Sequence, residues 1–119
     1  MSIQKFEDIV AWQKAMELAR DIYLIFGQIK DFGFKDQISR AALSISNNIA
    51  EGFDRASNAD FSRFLYFSAG SCSEVRSMLY LAEMLGYISI EKRDILIEKS
   101  SEVSKIIYGL IKSMKIPNP

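Results

Sequence analysis

Both prolines of this chain, Pro117 and Pro119, fall within its last three residues. Proline lacks the backbone donor that a helix needs, and its ring clashes with the preceding turn, so everything upstream is free to run as unbroken helix. The apolar residues use that freedom: they recur every three or four positions, the period of a helix with one face against a core. Four helices are predicted, over about residues 7–30, 36–53, 58–85 and 90–115. The first carries Ile9, Trp12, Met16, Ala19, Tyr23 and Phe26 as its inward stripe, with Glu7 and Asp8 in its opening turn, where negative charge suits the helix dipole. Asp31, Phe32, Gly33 and Phe34 read as the connection to the second helix, with Gly33 free to take positive φ and Asp36 placed to cap. Ser57 and Asp60 resemble a capping box before the third, whose stripe is Phe61, Leu65, Ser68, Cys72, Val75, Leu79 and Ala82 and whose end is marked by Gly86. Ser89 caps the fourth, which turns Leu96, Val103, Ile107, Leu110 and Met114 inward. Short connections make successive helices antiparallel, so the expected fold is a single-domain, all-α, up-down-up-down antiparallel four-helix bundle.

The second helix is the least generic. Ile38, Ala42, Ile45, Ile49 and Phe53 form its core stripe, yet the neighbouring stripe, Ala41, Ser44, Asn48 and Gly52, is small or polar where a surface helix carries Lys and Glu. Small residues admit another backbone, and the polar groups among them need partners. With the turn to the third helix near residues 55 and 56, residues at one height have numbers summing to about 111 for two antiparallel helices of equal rise. That places Ala41 level with Gly70, Ser44 with Phe67 and Asn48 with Arg63, and it sets the small stripe against Ser68, Gly70 and Ser71. Arg40 comes within a turn of Glu74, a spacing suited to an ion pair, and Asn47, Asn48 and Glu51 gather towards the other end. This polar seam, Arg40, Ser44, Asn47, Asn48, Glu51, Gly52, Ser71 and Glu74, is either a pocket between helices or a device that fixes their register; the second reading is preferred, because buried polar groups commonly specify pairing.

Composition narrows the chemistry. Fifteen basic and fifteen acidic residues give no net charge, so the basic balance of a phosphate-backbone binder is missing and nucleic acid is disfavoured as a partner. Histidine, the commonest general base and metal ligand, is absent, and one cysteine makes neither an internal disulfide nor a multi-cysteine zinc site. No cofactor or metal is therefore expected, and no enzyme activity; a hydrolase built on Glu51 or Glu74 is the remote alternative. Cys72 lies on the apolar stripe and reads as a small core residue rather than a nucleophile. Phe61, Phe64, Tyr66 and Phe67 read as packing rather than base stacking, and Lys105, Lys112 and Lys115 as cations complementing a helix C-terminus. The opening residues lack the apolar run of a signal peptide and no stretch is long enough to span a membrane, which predicts a cytoplasmic protein with no membrane partner.

Residues 39–52, with their Arg40-Ala41-Ala42, Ser44-Ile45 and Asn48-Ile49-Ala50-Glu51-Gly52 core, are followed by Phe64-Leu65, Gly70-Ser71, Glu74 and Leu85-Gly86-Tyr87-Ile88. Together they resemble the four-helix bundle proteins named for the intervening sequences of 23S ribosomal RNA genes, over nearly the whole chain. The resemblance implies a bacterial cytoplasmic bundle that assembles into a pentameric ring and has no assigned enzyme activity. It extends in fold to the accessory proteins of diversity-generating retroelements, which associate with nucleic acid but are markedly basic, as this chain is not. Relatives often carry proline where this chain has Ser46, so a kink common among them is not expected here.

Self-association is also expected from the residues themselves. Residues 22–26 are apolar around the whole helix, and the bundle topology brings them to the same end as residues 78–85 and 95–97. A bundle covers one side of each helix, so an apolar remainder marks a partner surface. Ile22, Leu24, Ile25 and Phe26 are the candidate interface for a homo-oligomer; no other protein partner is named by the sequence.

Overall fold

The computed structural model describes residues 3–55 and 57–114. A single 3₁₀ turn, Phe6–Asp8, precedes four helices: α1 (Val10–Phe26), α2 (Phe32–Phe53), α3 (Asn58–Met84) and α4 (Ile90–Ser113). They form an up-down-up-down antiparallel bundle, 52 Å long and 22 Å across, in which each helix packs on the next in chain order and α4 closes against α1. The α2–α3 junction is the most extensive and α1–α4 the least.

The first helix differs from expectation at both ends and around its axis. Ile9 is extended (φ −78°, ψ 120°) and separates the 3₁₀ turn from α1, so the acidic pair Glu7 and Asp8 lies outside the α-helix. That break turns Ile9 into the core, where it is 1% exposed. The buried stripe of α1 is Ala11, Ala15, Leu18, Ala19, Ile22 and Phe26, while Met16 and Tyr23 face outward. Alanines inside let α1 lie close to its neighbours, and close packing of backbones outweighs the greater hydrophobicity of Met and Tyr. The helix stops at Phe26 rather than near residue 30.

The connection is correspondingly shorter. Asp31, not Asp36, caps α2, its Oδ1 accepting the Phe34 N–H at 3.1 Å. The earlier start takes Phe32, Gly33 and Phe34 into the helix, and among the described residues only Gly86 has positive φ, so Gly33 is not a turn glycine. Starting at residue 32 lets Phe34 reach the core, where its ring meets Phe26 at 5.7 Å and Tyr87 at 5.4 Å. The helix then runs through Ser46, whose hydroxyl donates back to the Leu43 carbonyl at 3.2 Å.

The other termini follow the expected chemistry. Ser57 accepts from Asp60 N and Ser89 from Lys92 N, each at 3.1 Å. At the end of α3, Tyr87 N donates to Ala82 O (2.8 Å) and Gly86 N to Glu83 O (3.0 Å), with Gly86 at φ 78°. This six-to-one and five-to-two pairing absorbs the orphan carbonyls of the last turn and needs a left-handed residue at its centre. Of the α3 stripe, Leu65, Ser68, Cys72, Val75, Leu79 and Ala82 are buried and Phe61 is half-buried. The expected continuation of α4 to residue 115 lies outside the described residues.

Candidate functional site

Two surfaces carry what the sequence singled out, the α2–α3 seam and the apolar end of the bundle. The seam joins α2 and α3 by side-chain hydrogen bonds. Ser68 Oγ donates to Ile45 O at 2.8 Å in the buried interior, and half a turn outward Ser71 Oγ donates to Ser44 Oγ at 2.9 Å. Ser44 accepts a second bond there from Asn48 Nδ2 (2.9 Å), which also donates to Ser44 O (2.8 Å). Ser44 therefore meets Ser71 rather than Phe67: side chains a turn apart share a face, and Phe67 points to solvent. Gly70 likewise opens to solvent and makes no close approach to Ala41. The close approach is at Gly52, where a Cβ would sit 2.5 Å from Phe64 Cβ.

The charged members of the seam stay outside it. Arg40 Nε pairs with Asp36 at 2.8 Å on its own helix, and Glu74 accepts from Gln37 Nε2 at 3.4 Å, so the expected Arg40–Glu74 pair does not form. An intrahelical partner four residues away needs no reach across the groove, and at this exposed level that proximity decides. Glu51 pairs with Arg55 at 2.9 Å. Asn47 is exposed, and Arg40, Leu43, Ser44, Asn47, Asn48 and Glu51 border a shallow depression of about 370 Å³. Cys72, next to Ser71 in α3, is fully buried, and burial pushes its thiol up to about 11. Such a thiol is a poor nucleophile.

The second surface is the end where α1 finishes, α3 finishes and α4 begins. Leu24 is 72% exposed and Met84 76%, and Leu81 and Leu85 near the end of α3 and Ile90 and Ile95 near the start of α4 are exposed as well. Leu24, Ile25, Ile95 and Leu96 line a groove of about 250 Å³ with Asp21, Lys92 and Lys99 at its edge. Of the four residues proposed for an interface, Leu24 points outward and Ile25 is half-buried, but Ile22 and Phe26 are fully enclosed in the chain's own core. The correction follows from the rotation of α1, since the stripe that continues Ala15 and Leu18 passes through Ile22 and Phe26. Ile90 was not singled out from sequence, because it directly follows the capping Ser89 and belongs to no stripe. The buried Ser100, whose hydroxyl donates to Cys72 O at 3.2 Å and ties α4 to α3, was also missed; its place between Leu96 and Val103 on the inward face is the signal that identifies it. No described helix is long and apolar enough to cross a membrane.

Comparison with known proteins adds the family. The profile of the 23S rRNA-intervening sequence proteins matches residues 7–109. Among solved structures, the chain is similar to a crystal structure at 1.70 Å of a Bacteroides thetaiotaomicron protein of unknown function from the S23 ribosomal protein family. The two are 30% identical with a TM-score of 0.81, and the match covers 87% of this chain and 99% of that one. No curated protein matches.

Proposed function

Because this chain belongs to the 23S rRNA-intervening sequence protein family, we propose that it is a non-enzymatic scaffold or interaction protein of the bacterial cytoplasm whose subunits join into a closed ring. One observation carries the reading: the apolar end built from Leu24, Ile95, Met84, Leu85 and Ile90 stands exposed on a subunit whose core is already complete. Each large aliphatic side chain moved from water into an interface contributes about 1.5–3 kcal/mol, so a second subunit is the partner always at hand. Five subunits is the number the resemblance implies, and a ring needs two different faces of each subunit to meet. The non-enzymatic part is supported by the state of the candidate groups. Glu51 and Glu74 are exposed and engaged by Arg55 and Gln37, and Cys72 is sealed in the core.

Light scattering at micromolar concentration tests the assembly. The expected mass is several times 13.5 kDa, and Leu24→Glu together with Ile95→Glu yields smaller species while the helical circular dichroism is kept. A wild-type monomer under those conditions removes the proposal. The alternative, an accessory factor for RNA or DNA, draws on one corner where the Arg55 and Arg63 guanidinium groups stack on Phe64 at 4.8 and 5.0 Å. Glu51 and Asp60 already neutralise those two arginines, which is why the scaffold is preferred. Tight binding of structured RNA that weakens steeply with added salt would reverse the order.

A further inference from the structure

A further groove lies at the same end of the bundle, between the end of α1 and the start of α2. It encloses about 520 Å³ and is lined by Tyr23, Gly27, Phe32, Lys35, Asp36 and Ser39, a volume within the range of small-molecule sites. Two of these residues are aromatic, Phe32, 70% exposed, and Tyr23, 49% exposed. Among the described residues, one polar group that borders it has no hydrogen-bond partner and another has no counter-ion. Ser39 is only 8% exposed, yet its hydroxyl has no hydrogen-bond partner among the described residues. No side-chain oxygen among those residues is both sealed from solvent and unpartnered, so this hydroxyl opens into free space, and the space Ser39 borders is the cavity. Lys35 has no carboxylate within ion-pair distance among the described residues; its ammonium rests 3.3 Å from Gly27 O and 4.9 Å over the Phe32 ring. The carboxylate beside it, Asp36, is taken by Arg40 at 2.8 Å.

We propose that this cavity binds a small aromatic carboxylate. Two aromatic residues lining one groove favour a planar aromatic body, held by edge and face contacts. An uncompensated ammonium at the edge of an apolar slot favours a carboxylate over a neutral group. Lys35 and Ser39 stand four residues apart on α2, where side chains are neighbours, so one carboxylate receives a bond from each. Gly27 lines the groove without a side chain, and a Cβ there would meet the Tyr23 backbone carbonyl at 2.8 Å. Its lining shares no residue with the groove that holds Leu24 and Ile95.

Calorimetric titration of the full-length protein with naphthalene-2-carboxylate, and separately with the neutral naphthalene-2-carboxamide, tests it. Saturable binding of the carboxylate is expected at about 0.1–1 mM, a normal affinity for a ligand of this size. The carboxamide should bind about fivefold more weakly, the weight of one charge-assisted bond at a half-exposed site. Lys35→Gln abolishes that difference, Ser39→Ala weakens the carboxylate, and Phe32→Ala, a change at an exposed ring that leaves the fold intact, weakens both probes. Three outcomes overturn the proposal: no saturable binding, equal binding of the two probes in the wild type, or binding undiminished by Phe32→Ala. Protection of Tyr23 and Phe32 within the assembled protein, without probe binding, also overturns it and assigns the groove to a second copy of the chain.

Discussion

At the scale of single residues, Gly52 shows how much one missing methyl group can decide. A Cβ there would stand 2.5 Å from Phe64 Cβ and 3.2 Å from the Phe61 ring, and neither contact is the far end of a flexible side chain. Ala gains about 1 kcal/mol over Gly in a helix interior, but overpacking a tight contact costs about 1–3 kcal/mol. Here the clash is backbone-proximal, which puts the cost at the upper end, so Gly52→Ala is expected to lower stability by up to about 2 kcal/mol net in urea denaturation, against the direction helix propensity alone predicts. Asp31 is the residue with a pH consequence. Tyr87 Oη donates to it at 2.7 Å and Phe34 N adds a second bond, and these hold its carboxyl below the ordinary 3.8. A carboxylate depressed in the folded state adds stability that is fully present above the unfolded value and is lost as pH falls through the folded one. Tyr87→Phe should therefore move the Asp31 titration, followed by carboxyl-carbon NMR, back up towards 3.8, with less of the low-pH loss of stability attributable to this group. Cys72, its thiol pushed to about 11 by burial, should resist a thiol reagent at pH 8 in the native protein and react at once in denaturant; fast native labelling would show that the α3–α4 interior opens.

At the scale of elements, capping and hydroxyl pins do what apolar stripes leave open. Each of α2, α3 and α4 has a side-chain oxygen accepting a backbone N–H in its first turn, and removing such a cap costs about 1 kcal/mol. Ser57→Ala is the clean case, because Ser57 is exposed and touches the structure chiefly through that bond to Asp60 N; a stability loss of about 1 kcal/mol is expected, regained by Ser57→Asp. Between elements, Ser68 to Ile45 O and Ser100 to Cys72 O tie α3 to its two neighbours from inside. Hydroxyl-to-carbonyl bonds buried between helices fix axial position, which aliphatic side chains do less sharply.

For the whole molecule, the four junctions are unequal. The α2–α3 junction is the broadest, while the narrowest, between α1 and α4, is bridged at its partly exposed edge by Lys14–Glu102 (2.6 Å) and Lys99–Asp21 (2.5 Å). Exposed pairs contribute about 0.2–1 kcal/mol each and are screened by salt. Native-state hydrogen exchange should therefore quicken in α1 and α4 at about 1 M salt while the α2–α3 amides hardly change. Uniform behaviour across all four helices would mean that the bundle opens only as one unit.

Helix number, antiparallel order, three of the four expected boundaries near α3 and α4, and the burial of Cys72 were legible in the sequence, because period, turn residues and caps are properties of neighbours along the chain. So was the participation of Ser44, Asn48, Gly52 and Ser71 in one seam, since small and polar residues on an inner stripe have few other uses. Tertiary packing alone decided how α1 is rotated: residues 22–26 are apolar on every side, and no local rule says whether Tyr23 or Ile22 is enclosed. It also decided that Arg40 bonds Asp36 instead of Glu74, and that Ser39 lines an open groove beside Phe32 rather than filling the core. Periodicity fixes which residues share a face. The direction in which that face points is settled by the shape of what packs against it.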